Sequence, residues 1–140
     1  FIGGAPAVRS SARTVVVGSY VYLVGGSDDS SPIRAISRAR LNANGALDMF
    51  ENVPGNVLGT DGPIVEVIGG VVYAFGFDTI VQQATIGVDK ELNPFTTVLD
   101  VTLSPGRSGE AQAAIGNYIY VIGGASGRSD VNSVQQAALR

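Results

Sequence analysis

The chain repeats itself, and that feature limits its possible folds more than any other. Residues 9–26 (RSSARTVVVGSYVYLVGG) lie without a gap over residues 107–124 (RSGEAQAAIGNYIYVIGG), at an offset of 98. Arg9 meets Arg107, Gly18 meets Gly116, Tyr20 and Tyr22 meet Tyr118 and Tyr120, and both copies end in Gly-Gly. A weaker copy, VIGGVVYAFGF at 67–77, lies between them. At an offset of 51 its Gly69, Tyr73 and Gly76 match Gly18, Tyr22 and Gly25, and Thr60 stands near where the arginine would be. A second motif also recurs. Residues 36–50 align with 81–95, so that Ala39, Leu47 and Phe50 match Ala84, Leu92 and Phe95. A third copy begins at Val134 and runs to Leu139. Phe1 reads as the end of another such unit. The chain is therefore expected to be one segment, 1–140, of about three repeats near 1–50, 51–95 and 96–140.

Period and punctuation predict strands. Residues 14–17, 20–24, 64–68, 71–75, 112–115 and 118–122 are short runs rich in β-branched and aromatic side chains. Gly18-Ser19, Gly69-Gly70 and Gly116-Asn117 separate paired runs, where a two-residue hairpin needs positive φ. Further strands are expected near 35–41, 49–53, 80–88 and 95–98, with turns at 42–45 and 87–90. No segment carries a capped 3.6-residue period, so almost no helix is expected. Near-continuous apolar runs imply burial on both faces of a sheet. With 45% hydrophobic residues, 19 Gly and 15% charged residues, the composition is that of a packed chain.

The unit reads: Arg, about eleven residues, an aromatic within an apolar run, Gly-Gly, a variable loop, a strand, a turn and an aromatic. It resembles the kelch repeat. Gly25-Gly26 and Gly123-Gly124 match the family's diglycine, and Tyr22, Tyr73 and Tyr120 match the aromatic before it. Phe50 and Phe95 replace its tryptophan, and the middle unit has Gly76-Phe77 in place of Gly-Gly. The resemblance implies an all-β fold of about three four-stranded kelch-type β-propeller blades, part of a larger or oligomeric propeller. Closed propellers have about 4 to 8 blades, so three would leave open edges. Pairing with another copy, or with blades outside this sequence, is therefore expected.

Each matched position has a physical reason. Gly-Gly ends a central strand where a Cβ would strike the neighbouring blade. Tyr20 and Tyr22, like Tyr118 and Tyr120, alternate onto one face and can fill the wedge between blades, hydroxyls reaching a polar edge. Arg9 and Arg107 precede the innermost strand. The structural reading has them bonding carbonyls and carboxylates of the adjacent blade; the functional one has them facing a central channel and gripping an anion.

The residue inventory leans away from an enzyme. There is no His and no Cys, so the commonest general base and the thiol nucleophile are both absent. The copper oxidases among kelch propellers need both residue types. Asp28-Asp29 with Ser30-Ser31 could hold a hard cation, but a solvated loop is the plainer reading. No metal and no cofactor are expected. The net charge of -3 and the lack of a Lys/Arg block argue against nucleic acid. No apolar run reaches the roughly 18 residues of a membrane helix. Nothing fixes the compartment, with an extracellular or cell-surface setting favoured.

The candidate site is the set of loops at one end of the blades: 5–9, 27–33, 59–63, 78–79, 104–109 and 125–132. They carry Arg9, Asp28, Asp29, Arg34, Asp78, Arg107, Arg128, Asp130 and Asn132. Variable polar loops on a rigid scaffold are a usual place for binding. The expectation is a scaffold for a protein or glycan ligand. The alternatives are part of a propeller enzyme, of sugar oxidase or isomerase type, completed by other blades, and a structural part of an extracellular assembly.

Overall fold

The computed structural model describes residues 4, 8–59, 61, 63–76 and 79–139. The chain is all-β, with no helix among the described residues. The first sheet is an antiparallel meander of β1 (Arg13–Val17), β2 (Tyr20–Val24), β3 (Ala35–Arg40) and β4 (Glu51–Val57). The second repeats it with β5 (Ile64–Ile68), β6 (Val71–Phe75), β7 (Ile80–Thr85) and β8 (Thr96–Thr102). The third has β9 (Ala111–Ile115), β10 (Tyr118–Ile122) and β13 (Val134–Ala138), in the order β13-β10-β9. A separate small hairpin, β11 (Ala125–Ser126) and β12 (Ser129–Asp130), rises from its connecting loop.

The glycine turns fix the register. Val17 pairs with Tyr20, Ile68 with Val71 and Ile115 with Tyr118, each across two residues led by a glycine of positive φ. Residue for residue, the first two sheets superpose. Val21 pairs with Ala39 as Val72 pairs with Ala84. Both outer pairings shift register at the same place, between Ala35 and Ser37 and between Ile80 and Gln82. The third sheet keeps the pattern, with Ile119 opposite Ala137.

The outer strands differ from expectation. β4 runs through Pro54 and Gly55 to Val57, and β8 runs to Thr102. Proline lacks a donor, which excludes it from a central strand but not from a sheet edge beside a bulge. β7 stops at Thr85, where the turn closed by Lys90 N–H to Gly87 O begins.

Strand alternation gives the second sheet two buried faces. Val72, Ala74, Ala84, Leu92 and Phe95 pack against Val15, Val17, Tyr22 and Val24 of the first sheet. On the other face, Ile64, Tyr73, Phe75 and Val81 pack against Ile119, Val121 and Leu139. The close approach explains two glycines. A Cβ on Gly25 would lie 2.5 Å from the Pro63 ring, and one on Gly18 would lie 2.6 Å from Lys90 O. The first strands of the three sheets, β1, β5 and β9, run beside one another along one edge of the stack.

Candidate functional site

The connections leaving β2 and β10 return beside those entering β1 and β9. Ser10 and Ser27 exchange backbone hydrogen bonds (2.8 and 2.9 Å), as do Ser108 and Ala125 (2.9 and 2.8 Å). These short ladders collect the loops at one end of the sheets.

The two arginines sit at equivalent places beneath those loops. Arg107 is 1% exposed. Its Nη1 donates to Gly123 O (2.9 Å) and Ser133 O (3.1 Å), and Nη2 donates to Ser133 Oγ (3.2 Å). Arg9 makes the same set with Gly25 O (3.3 Å), Ala35 O (3.4 Å) and Ser37 Oγ (3.1 Å). The acceptors are carbonyls and hydroxyls of each arginine's own sheet, where the sequence suggested the adjacent one. Burial lowers the pKa of Arg9, yet a guanidinium stays charged. In the middle unit Gln82 stands at the register position of Ser37, and its Oε1 accepts the Gly59 N–H at 2.7 Å; Thr60, where the arginine would be, lies outside the described residues.

Above the arginines the loop residues are exposed. Asp28 Oδ1 accepts from the N–H groups of Ser30 (2.8 Å) and Ser31 (2.7 Å), which makes it a turn former. Asp29 points to solvent beside it. Arg34 Nε contacts Asp61 Oδ1 at 2.7 Å, joining the first sheet's loop to the lead into the second sheet. Arg128 lies at the tip of the β11–β12 hairpin, and Asp130 and Asn132 follow it, all exposed. Asp78 lies outside the described residues. Among the described residues no hydrogen bond or ion pair joins Asp28 or Asp29 to Arg128 or Asp130. No group of three or more His, Cys, Asp or Glu there could hold a metal ion. Hydrogen bonding and charge pairing are the chemistry this end offers.

Two features escaped the sequence reading. Glu110 is 8% exposed and close to Arg107, with Oε1 unpaired. Burial pushes its carboxyl pKa up, against the pull of Arg107 and Arg13. The second feature is a clamp between sheets. Residues 91–95 lie in a groove of the first sheet. Arg38, seated over the Tyr20 ring, donates to Glu51 and to Glu91. Tyr22 Oη accepts the Leu92 N–H at 3.1 Å. Asn56 donates to Asn93 O (3.3 Å) and accepts from Phe95 N (3.2 Å). The tyrosine was visible in the repeat. Arg38 and Asn56 gave no signal, because their partners lie 53, 37 and 39 residues away.

No protein-family model matches the sequence, and a search of curated proteins finds no similar one.

Proposed function

We propose that this chain is a segment of a kelch-type β-propeller that serves as a binding scaffold, taking a protein or glycan ligand on its polar loop end. One observation carries the reading. Three register-equivalent meanders stack face to face, and their unlike connections gather at one end over a repeated arginine brace. The brace also supports the scaffold over the anion-gripping alternative. Both arginines direct Nη1 and Nη2 to acceptors of their own sheets, which favours a structural duty and leaves recognition to Asp28, Asp29, Arg34, Arg128, Asp130 and Asn132.

The test is a combined Asp28→Ala, Asp29→Ala and Arg128→Ala variant, compared with the unmodified chain on a panel of immobilised oligosaccharides and purified proteins. Loss of a specific capture, with an unchanged circular dichroism spectrum, supports the reading. Capture that survives all three substitutions, or no capture by the unmodified chain, overturns it.

Further blades would complete the ring, from a second copy or from a longer chain. Apolar groups on the outward faces of the first and third sheets support this: Val16 is 62% exposed, Ile115 64% and Ile122 43%. Light scattering reads the outcome. A particle of twice the 14.4 kDa chain supports closure by two copies, and a stable monomer refutes it.

A further inference from the structure

The turn at residues 42–46 joins β3 to β4 and carries a reactive pair. Leu41 N–H donates to Ser19 O (2.7 Å), which sets this turn beside the β1–β2 hairpin, at the end of the sheet away from the candidate loops. The pair is Asn44-Gly45, the chain's one asparagine followed by glycine. The backbone nitrogen that follows an asparagine can attack its side-chain amide, and glycine has no Cβ to crowd that approach. After the other asparagines the nitrogen belongs to Ala43, Val53, Val57, Pro94, Tyr118 or Ser133.

The turn shapes the pair for this attack. The Ala46 N–H donates to Asn44 Oδ1 at 3.0 Å, which folds the carboxamide back across the Gly45 peptide. That N–H faces the oxygen on which negative charge develops as the amide carbon becomes tetrahedral. A Cβ on Gly45 would meet nothing within 4 Å, so no neighbouring segment crowds the tip. One contact opposes the reaction: the Gly45 N–H donates to Asn42 O at 2.9 Å and must let go first. Asn44 and Gly45 are both exposed, and opening an exposed turn costs little.

The second unit supplies a comparison. Residues 87–91 form the same turn, with Lys90 N–H bonded to Gly87 O (3.0 Å) and Glu91 N–H to Asp89 Oδ1 (3.0 Å). This turn packs against the first sheet, where a Cβ on Gly18 would lie 2.6 Å from Lys90 O. Val88, Asp89 and Lys90 nevertheless stay exposed. The exposure of Asn44 therefore does not depend on what lies against its own sheet. Asp89 also shows that the turn accommodates an aspartate at the place of Asn44.

We propose that Asn44 is a site of spontaneous deamidation through a cyclic imide. Gly45 N gives up its proton and bonds to Asn44 Cγ. The Cγ–Nδ2 bond breaks, and the nitrogen leaves with that proton as ammonia. Water then opens the imide at either carbonyl, which yields aspartate or iso-aspartate. The aspartate product repeats the Asp89 turn. Iso-aspartate adds an atom to the main chain and breaks the pairing of Asn42 N–H with Ala46 O (2.8 Å). Either product adds a negative charge to a chain of net charge -3. This inference does not rest on the loop-end reading.

The folded chain is held for days at mildly alkaline pH, and samples are digested and mapped by mass spectrometry. The mass change of an amide turned carboxyl is expected in the peptide holding Asn44, split between two chromatographic forms. One form should match the Asn44→Asp variant and the other should be iso-aspartate, which direct hydrolysis of the side chain cannot make. Gly45→Ala should slow conversion about 10-fold, because a Cβ then crowds the nitrogen. The same substitution in a synthetic peptide of residues 40–50, which has no fold to lose, should act alike. Unfolding the chain in urea should speed conversion about 5-fold, the equivalent of the Gly45 hydrogen bond. Aspartate without iso-aspartate overturns the proposal, as does conversion in urea alone or conversion no faster at Asn44 than at the other asparagines. A rate indifferent to Gly45→Ala in both chain and peptide overturns it too.

Discussion

Tyr22 and Tyr73 occupy the same register position in successive sheets, so one substitution at both sites isolates one hydrogen bond. Tyr22→Phe keeps the ring and removes the oxygen that accepts the Leu92 N–H at 3.1 Å. Tyr22 is fully buried and Leu92 nearly so, so no water can replace the acceptor. A buried donor left unsatisfied costs about 1–3 kcal/mol. For a chain of 140 residues, about 2 kcal/mol lowers Tm by roughly 6–8 °C. Tyr73→Phe removes a hydroxyl that bonds to nothing among the described residues, and should change stability by less than about 0.5 kcal/mol. Both variants and the parent are compared by urea titration at fixed m-value and by thermal melting. Equal losses at the two positions, or a Tyr22→Phe melt within 1 °C of the parent, would refute the claim that only the first junction is clamped.

Three further tests, with five substitutions between them, probe the packing. Gly18→Ala and Gly69→Ala both force a side chain into positive φ, at +57° and +59°. Only Gly18 also meets Lys90 O, so its loss should exceed the other by about 1 kcal/mol or more in urea midpoint comparisons. Arg107→Met and Arg9→Met should each destabilise by about 1–3 kcal/mol, because each removes the donor to two carbonyls and a serine hydroxyl; losses below about 0.5 kcal/mol at both would contradict the brace. Glu110 binds its proton more tightly when folded than unfolded, so native stability falls as pH rises through the carboxyl's folded pKa. Glu110→Gln should therefore be the more stable chain at pH 7, with the advantage gone once the carboxyl is protonated at acid pH. A stability gap unchanged between those two conditions would count against it.

Much of the fold was legible because it is written three times. The Arg, Tyr and Gly-Gly spacing gave the first two strands of each unit to within one residue, and the hairpin glycines gave their register. Legibility failed where structure depends on contacts between units. Pro54 hid the far half of β4, since nothing local says that the strand is a sheet edge. The loop residues were legible as exposed and polar, but Asp28 turned out to shape its own turn, and Arg34 to hold Asp61. Arg38 and Asn56 were invisible because each owes its role to residues 91–95, folded against it from another unit, and Glu110 because no local pattern announces that a carboxylate beside Arg107 is buried.

The clamp has a direction, and that direction governs how copies could assemble. Each junction sets the tyrosine-bearing face of one sheet against the opposite face of the next, and at the first junction residues 91–95 fill the groove as well. The first sheet's outward face, around Val16, Val21, Leu23 and Ala39, corresponds to the face that the second sheet turns toward the first. The third sheet's outward face, around Ile115, Tyr118, Tyr120 and Ile122, corresponds to the first sheet's inward one. The free faces are therefore unlike and complementary, so association through them should be head to tail rather than two-fold symmetric. A mixing experiment decides it. Val16→Lys and Ile122→Lys should each abolish self-association alone, because every junction then carries one buried lysine. Mixed together, they should restore a heterodimer, since one junction then joins two unmodified faces. If pairing were symmetric through the first sheets, Ile122→Lys would still dimerise alone, only Val16→Lys would be monomeric, and mixing the two would create no new dimer by light scattering.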